Sequence, residues 1–225
     1  MTDEEVEARR ARARELAAEF AERGDVVGWF DAFYKEAAGD NEQIPWADLE
    51  PNKFFRTWAE DVGLSGEGRK ALVVGCGLGD DARYLDDLGF EVSAFDISET
   101  AIEWAKRVST GRNIKFEVMD LFEPSRGWLG AFDFVLEIYT IQPLPMEMRE
   151  RVIDSIASFV ADNGELVVVT RGREDNEEPE QLPWPLSRKD LSRFEMHGLA
   201  QTDFRIMDGD EDPPVPRWVV QYRKG

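Results

Sequence analysis

The sequence predicts an α/β protein with a doubly wound, seven-stranded and mostly parallel sheet, preceded by a helical segment. Short apolar segments alternate with segments of helical character between residues 70 and 170, which is typical of a parallel sheet covered by helices on both faces. The first apolar segment runs directly into a glycine-rich turn. Two more strand candidates follow near the C-terminus. The linker between them is too short for the crossover that parallel strands need, so the last strand is expected to be antiparallel.

The N-terminal segment is predicted to be helical. Residues 4–23 consist mainly of Glu, Ala and Arg, which are strong helix formers. A second helix is expected over 26–38, with aromatic side chains on one face, and a third over 51–62. The segment has too few apolar residues for a core of its own. We therefore expect residues 1–66 to form a helical cover on a core of residues 67–225, within one structural unit.

The elements of the core follow from apolar runs, capping residues and turn residues. Residues 71–74 form a wholly apolar run, as in a buried parallel strand. Ser98 is a suitable N-cap, and Ser187 has the spacing of a capping box. Asn163 and Gly164 are expected to end a helix. The predicted strands are 71–74, 91–96, 114–119, 132–136, 165–170, 202–207 and 217–223, and the predicted helices are 80–88, 98–108, 146–161 and 187–196.

The composition limits the possible functions. The chain has 225 residues and a formal net charge of −20, so nucleic acids and anionic membranes should be repelled. No apolar run approaches the roughly 20 residues of a membrane-spanning helix, and the acidic start does not resemble a secretory signal. We expect a cytoplasmic protein with no nucleic-acid or membrane partner, and the sequence leaves its oligomeric state open.

The reactive side chains are few. A single cysteine, Cys76, and a single histidine, His197, argue against a metal site of the usual kind. One basic cluster alternates with Ala and Glu, and we interpret it as the solvated face of a helix. It consists of Arg9, Arg10, Arg12 and Arg14.

Suitable binding residues follow the predicted parallel strands. Ligands of a doubly wound sheet bind beyond the carboxyl ends of its strands, and these ends carry the glycine turn 75–79, Asp96, Asp120, Glu137 and Arg171. Glycines let a ligand approach the backbone closely. Asp96 can accept hydrogen bonds from both hydroxyls of a ribose. Asp120 can accept one from an exocyclic amine such as that of adenine.

The first turn of the helix after the glycines distinguishes between two classes of nucleoside cofactor. Dinucleotides favour G-x-G-x-x-G, with the pyrophosphate at the helix N-terminus. Here the third residue after Gly77 is Asp80, and Asp81 follows. Two carboxylates would repel a pyrophosphate, but they would tolerate a cofactor that carries a cationic sulfur and an ammonium group. The sequence therefore predicts S-adenosylmethionine as the cofactor.

Residues 70–120 resemble the core of a class I S-adenosylmethionine-dependent methyltransferase, which has a Rossmann-like fold. Residues 73–79 (VVGCGLG) resemble the first motif of that family and residues 95–98 (FDIS) the second. Residues 44–46 (IPW), ahead of the glycine turn, resemble the thiopurine, thiol and halide methyltransferase branch. In that branch a helical segment with tryptophans closes over the cofactor.

The resemblance implies roles for the matching residues. The glycines would line the methionine part of the cofactor, the two strand-end aspartates would bind the ribose and the adenine, and a tryptophan would cover the cofactor. Glu137 and Tyr139 are the nearest candidates for a catalytic base. The implied cofactor-binding residues are Trp46, Gly75, Cys76, Gly77, Gly79, Asp96, Ile97, Asp120, Leu121, Glu137 and Ile138.

The predicted function is methyl transfer to a small molecule, with a thiol or another soft nucleophile as acceptor. A thiol of ordinary pKa supplies some thiolate near neutral pH without a protein base, whereas an alcohol would need one. Two alternatives stay open at this point. One is a non-catalytic nucleotide-binding module. The other is a nicotinamide-dependent reductase, which Asp80 and Asp81 disfavour.

Overall fold

A computed structural model of the chain describes residues 3–47, 49–179, 181–211 and 213–225. The residues outside these ranges fall in the predicted cover, in the long loop after residue 171 and in the linker between the last two strands. They are Met1, Thr2, Asp48, Glu180 and Asp212.

In these ranges, seven strands form one sheet in the order β3-β2-β1-β4-β5-β7-β6. Strands β1 to β5 pair in parallel, and β7 runs antiparallel between β5 and β6. The predicted doubly wound, mostly parallel fold with an antiparallel last strand is confirmed. The strands are β1 (Lys70–Val74), β2 (Glu91–Asp96), β3 (Lys115–Val118), β4 (Phe132–Ile138), β5 (Val160–Arg171), β6 (Leu199–Asp208) and β7 (Pro216–Lys224).

Helices precede the sheet and cover both of its faces. Asn52 caps the third helix by accepting hydrogen bonds from the amides of Phe54 and Phe55, and Gly63 ends it in a left-handed conformation. Ser98 caps the fifth helix, and the predicted capping box of Ser187 and Asp190 opens the seventh. The α-helices are α1 (Asp3–Ala21), α2 (Gly28–Glu36), α3 (Lys53–Val62), α4 (Asp80–Asp87), α5 (Glu99–Val108), α6 (Arg149–Ser158) and α7 (Arg188–Ser192).

The predicted helix 146–161 ends earlier than expected, and β5 begins inside it. A single 3₁₀ turn and α6 span residues 146–158, and Val160 already pairs with Phe132 of β4. The next pair in that ladder joins Phe134 to Glu165, so Asn163, with a φ of +62°, lies in an irregular part of the strand. The residues that were predicted to end a helix therefore form a bulge.

The N-terminal segment does not pack as one layer. Buried side chains of α1 and α2, among them Leu16, Trp29 and Phe33, form a cluster with Leu78, Ala101 and Trp104 of the core. Helix α3 instead inserts Phe55 and Trp58 into the apolar layer against the sheet. The packing of α3 thus differs from that of α1, α2 and the segment up to residue 47, and the division of the chain at residue 66 stays a prediction. None of the helices in the described ranges is long and apolar enough to cross a membrane.

Candidate active site

The glycine turn after β1 needs its glycines for two different reasons. Gly75 and Gly77 have φ values of +59° and +51°, which side-chain-bearing residues rarely adopt. A Cβ at Gly75 would also lie 2.5 Å from Oγ1 of Thr140, and a Cβ at Gly77 would lie 2.9 Å from the hydroxyl of Tyr34. The turn is therefore held between the loop after β4 and the cover.

Asp96, at the end of β2, fixes this turn. One carboxylate oxygen accepts a hydrogen bond from the amide of Gly77 and the other from the amide of Ser98, both at 2.9 Å. Burial raises the pKa of Asp96, although these amides act in the opposite direction. Each carboxylate oxygen can accept a second hydrogen bond, so the group can hold the turn and still receive the hydroxyls of a ribose.

The cover reaches the same edge of the sheet through polar contacts. Asp31 of α2 accepts hydrogen bonds from Oγ of Ser98 at 2.8 Å and from the amide of Thr100 at 3.0 Å, at the start of α5. The hydroxyl of Tyr34 accepts one from Nε1 of Trp46 at 2.9 Å. Trp46, the tryptophan predicted to cover the cofactor, stacks on Phe33. It is 40% exposed, so part of its surface remains open to solvent.

One cavity of about 1040 Å³ lies between the cover and the carboxyl ends of the strands. It brings together most of the residues predicted from the sequence. Those that line it are Trp46, Gly75, Cys76, Gly77, Asp96, Ile97, Asp120, Leu121, Ile138 and Tyr139.

Two predicted residues lie outside the lining of this cavity. Gly79 caps α4, and a Cβ there would lie 2.8 Å from the ring of Phe116. Glu137 is fully buried within β4. One of its carboxylate oxygens accepts hydrogen bonds from the amides of Thr140 and Ile141, at 2.6 and 3.0 Å, and the other has no hydrogen-bond partner in the described ranges. Burial raises the pKa of Glu137 to about 7. This geometry makes Glu137 a positioning residue for the turn after β4.

The two aspartates at the start of α4 are engaged by protein groups. Asp80 forms an ion pair with Arg83, and Asp81 accepts a hydrogen bond from the amide of Asn52 at 2.7 Å. Burial raises the pKa of Asp81 to about 7. Both line the cavity, and Asp81 also fastens the start of α3 to the glycine turn.

Basic side chains also line the cavity. Arg171 ends β5, and Arg217 lies directly opposite it on β7. Nε of Arg217 donates to the hydroxyl of Tyr139 at 3.0 Å, and Glu211 accepts from both arginines. Burial, followed by the charge of Arg217, lowers the pKa of Arg171, and Arg10 of α1 acts in the same direction.

The sequence pointed to only part of this basic region. Arg171 follows a predicted strand and so marks a strand end, whereas Arg217 lies within a predicted strand and carries no such signal. The interpretation of Arg10 and Arg14 as a solvated face is wrong, because both line the cavity. A helix of Glu, Ala and Arg has no apolar stripe to show which face turns inward, so the sequence carried no signal for this.

Residues 71–164, from β1 through the bulge of β5, match the family described as a methyltransferase domain. The chain carries a class I S-adenosylmethionine-dependent methyltransferase domain. The methyltransferase is 25% identical over 167 residues to the 2-heptyl-1-hydroxyquinolin-4(1H)-one methyltransferase of Mycobacteroides abscessus, and the match covers 72% of each chain. The nucleotide-binding module and the reductase are not favoured by these matches.

Solved structures share the fold of the methyltransferase. The N-methyltransferase NodS of Bradyrhizobium japonicum, solved with S-adenosylhomocysteine, aligns with a TM-score of 0.66 at 18% identity, over 86% of this chain and 96% of that one. The 1,6-didemethyltoxoflavin-N1-methyltransferase of Burkholderia thailandensis aligns with a TM-score of 0.65 at 16% identity, over 85% and 86%. At these identities the likeness is one of fold, and the narrower resemblance to the thiopurine, thiol and halide branch stays a prediction.

Proposed function

We propose that the methyltransferase binds S-adenosylmethionine beside the glycine turn and transfers its methyl group to a small acceptor in the basic part of the same cavity. The observation that carries this proposal is the continuity of the cavity. Gly75, Asp96 and Asp120 line the same cavity as Tyr139 and Arg217. A methyl group on the cofactor can therefore meet an acceptor while both are covered by α1 and α2.

Residues at the strand ends would hold the cofactor. Asp96 would accept from the ribose hydroxyls, and Ile97 and Leu121 would pack against the adenine. One oxygen of Asp120 accepts the amide of Phe122 at 2.8 Å, and the remaining lone pairs of the carboxylate suit the adenine amine. When bound, S-adenosylmethionine supplies an electrophilic methyl group on a sulfonium, and the chain has only to align the acceptor and exclude water.

The acceptor that fits this site loses its proton without a catalytic base from the protein. Glu137 lies outside the cavity lining, and the hydroxyl of Tyr139 is tied to Arg217. Burial raises the pKa of Tyr139, which works against its use as a base near neutral pH. A thiol meets the requirement because its pKa is near 8.5. An acidic hydroxyl also meets it, and the relative from M. abscessus is named for an N-hydroxyquinolone.

The test is a panel of thiols, N-hydroxy heterocycles, phenols and amines, assayed for release of S-adenosylhomocysteine. We expect turnover with thiols or acidic hydroxyls, at a rate that follows the pKa of the acceptor, and Glu137→Gln should keep most of the activity. Turnover confined to amines or weakly acidic phenols, and abolished by Glu137→Gln, would contradict the proposal. Calorimetric titration with S-adenosylmethionine and with nicotinamide dinucleotides checks the cofactor separately.

A further inference from the structure

The basic part of the cavity stands out against the charge of the whole chain. The net charge is −20, yet Arg10, Arg171 and Arg217 line one cavity. Arg10 and Arg217 lie close enough to Arg171 for their charges to lower its pKa. Arginines that serve only solubility sit on the surface, where solvent screens them. The side chains of Arg171 and Arg217 are only 22% and 8% exposed, so their mutual repulsion is poorly screened.

The backbone forces two of these charges together. Arg171 and Arg217 occupy directly opposite positions in the β5–β7 ladder, and like charges at such positions destabilise a sheet. Glu211, from the loop before β7, offsets part of this repulsion, because one of its oxygens accepts from both guanidinium groups. Its other oxygen is buried without a hydrogen-bond partner in the part of the chain that the structure describes.

The neutralisation by protein groups is incomplete. One carboxylate serves two arginines, and Arg10 has no hydrogen-bond or ion-pair partner among the residues that the structure describes. The guanidinium of Arg217 donates hydrogen bonds to the hydroxyl of Tyr139, to the carbonyl of Val215 and to Glu211. Within the described residues, the guanidinium of Arg171 makes a single hydrogen bond, to Glu211 at 3.2 Å, which leaves most of its planar set of donors for a ligand.

We propose that Arg171, supported by Arg10 and Arg217, binds an anionic group of the methyl acceptor, so that the substrates are small organic anions such as carboxylates. This inference rests on the proposed function, because it places the acceptor in the basic part of the cavity. A guanidinium matches a carboxylate with two parallel hydrogen bonds. The neighbouring strand ends would then hold the reactive atom of the same molecule toward the glycine turn.

The test compares a carboxylate with its uncharged methyl ester. The protein is saturated with S-adenosylhomocysteine, and 2-mercaptobenzoate and its methyl ester are titrated by calorimetry at one fixed ionic strength. We expect the acid to bind about tenfold more tightly than the ester, as for a hydrogen bond to a charged group. Equal affinities, or no binding of either ligand, would overturn the proposal.

Variants assign the effect to the named residue. Arg171→Gln should bring the acid to the affinity of the ester, while the ester and S-adenosylhomocysteine bind as in the wild type. Arg171→Lys, which keeps the charge but not the planar fork, should fall between the two. Arg223→Gln is the matched control, on the exposed part of the same strand as Arg217. An unchanged preference in Arg171→Gln would overturn the assignment, whereas failure of the wild type to bind S-adenosylhomocysteine would overturn the proposed function itself.

Discussion

The two parts of the cavity are built in different ways. The part that we propose for the cofactor consists of backbone turns and strand ends that lie within residues 75–121, and Asp96 organises it through two backbone amides. The part that we propose for the acceptor collects side chains from α1, from the residue after β4, from the end of β5 and from the start of β7. A site made of local backbone turns tolerates few substitutions before it loses its ligand. A site made of side chains from distant elements can be altered one residue at a time.

The largest expected effect is in the cofactor part. Asp96→Ala removes the acceptors for the ribose and also releases the amides of Gly77 and Ser98. Lost hydrogen bonds to a charged group should cost roughly 2–4 kcal/mol, or about thirtyfold or more in affinity for S-adenosylmethionine. Calorimetric titration measures this, with Asp162→Ala on the exposed part of β5 as control. An unchanged affinity would mean that the cofactor binds elsewhere.

The same contrast explains how much of the molecule the sequence could predict. The fold, and the meeting of the glycine turn and the strand-end aspartates in one cavity, were predictable because apolar runs, glycines and strand-end acids are local signals. Glu137 was misplaced because its strand was predicted to end at Leu136, whereas β4 continues to Ile138. That difference of two residues puts the carboxylate inside the sheet. Arg10 and Arg217 could not be found, since only the folded chain brings them to Arg171.

The second prediction concerns the buried carboxylate of Glu137. Its pKa is about 7 in the folded protein and near 4.3 when exposed, so the folded state binds the proton more tightly. Stability should therefore fall as the pH rises from about 4.5 through 7, by up to about 3 kcal/mol. Glu137→Gln cannot ionise and should lose this part of the dependence on pH, while the part from Asp81, whose pKa burial also raises to about 7, should remain. Urea unfolding at several pH values checks it.

The control for that measurement is Glu147→Gln, on an exposed glutamate of the turn before α6. It should keep the dependence on pH of the wild type. If Glu137→Gln abolished methyl transfer but still bound S-adenosylmethionine, this would contradict the conclusion that Glu137 lies apart from the acceptor part.

The third prediction tests the link between the cover and the cofactor part. Burial alone would raise the pKa of Asp31, but hydrogen bonds from Lys35, Ser98 and Thr100 more than offset this and lower it to about 2. Asp31 therefore stabilises the fold above about pH 4, and this contribution is lost as the pH falls from 3.8 through 2. Asp31→Asn should cost about 1–2 kcal/mol at pH 7.

Thermal and urea unfolding measure that cost, and Glu103→Gln on the exposed face of α5 serves as control. Affinity for S-adenosylmethionine should fall along with stability, because α2 carries Tyr34 over the glycine turn. A variant as stable as the wild type and with full affinity would show that α2 is held by its apolar contacts alone.

The smallest expected effect concerns Tyr139 in the acceptor part. Its hydroxyl accepts from Nε of Arg217 at 3.0 Å, so Tyr139→Phe removes one hydrogen bond and no packing, at a cost of about 1 kcal/mol. If Tyr139 only positions Arg217, KM for an anionic acceptor should rise about fivefold, while kcat and its dependence on pH stay as in the wild type. Tyr84→Phe, on α4 against Phe55, should change neither constant. A loss of kcat with a flattened pH profile would make the Tyr139 hydroxyl a catalytic base, and it would then give the acceptor part a chemical role beyond binding.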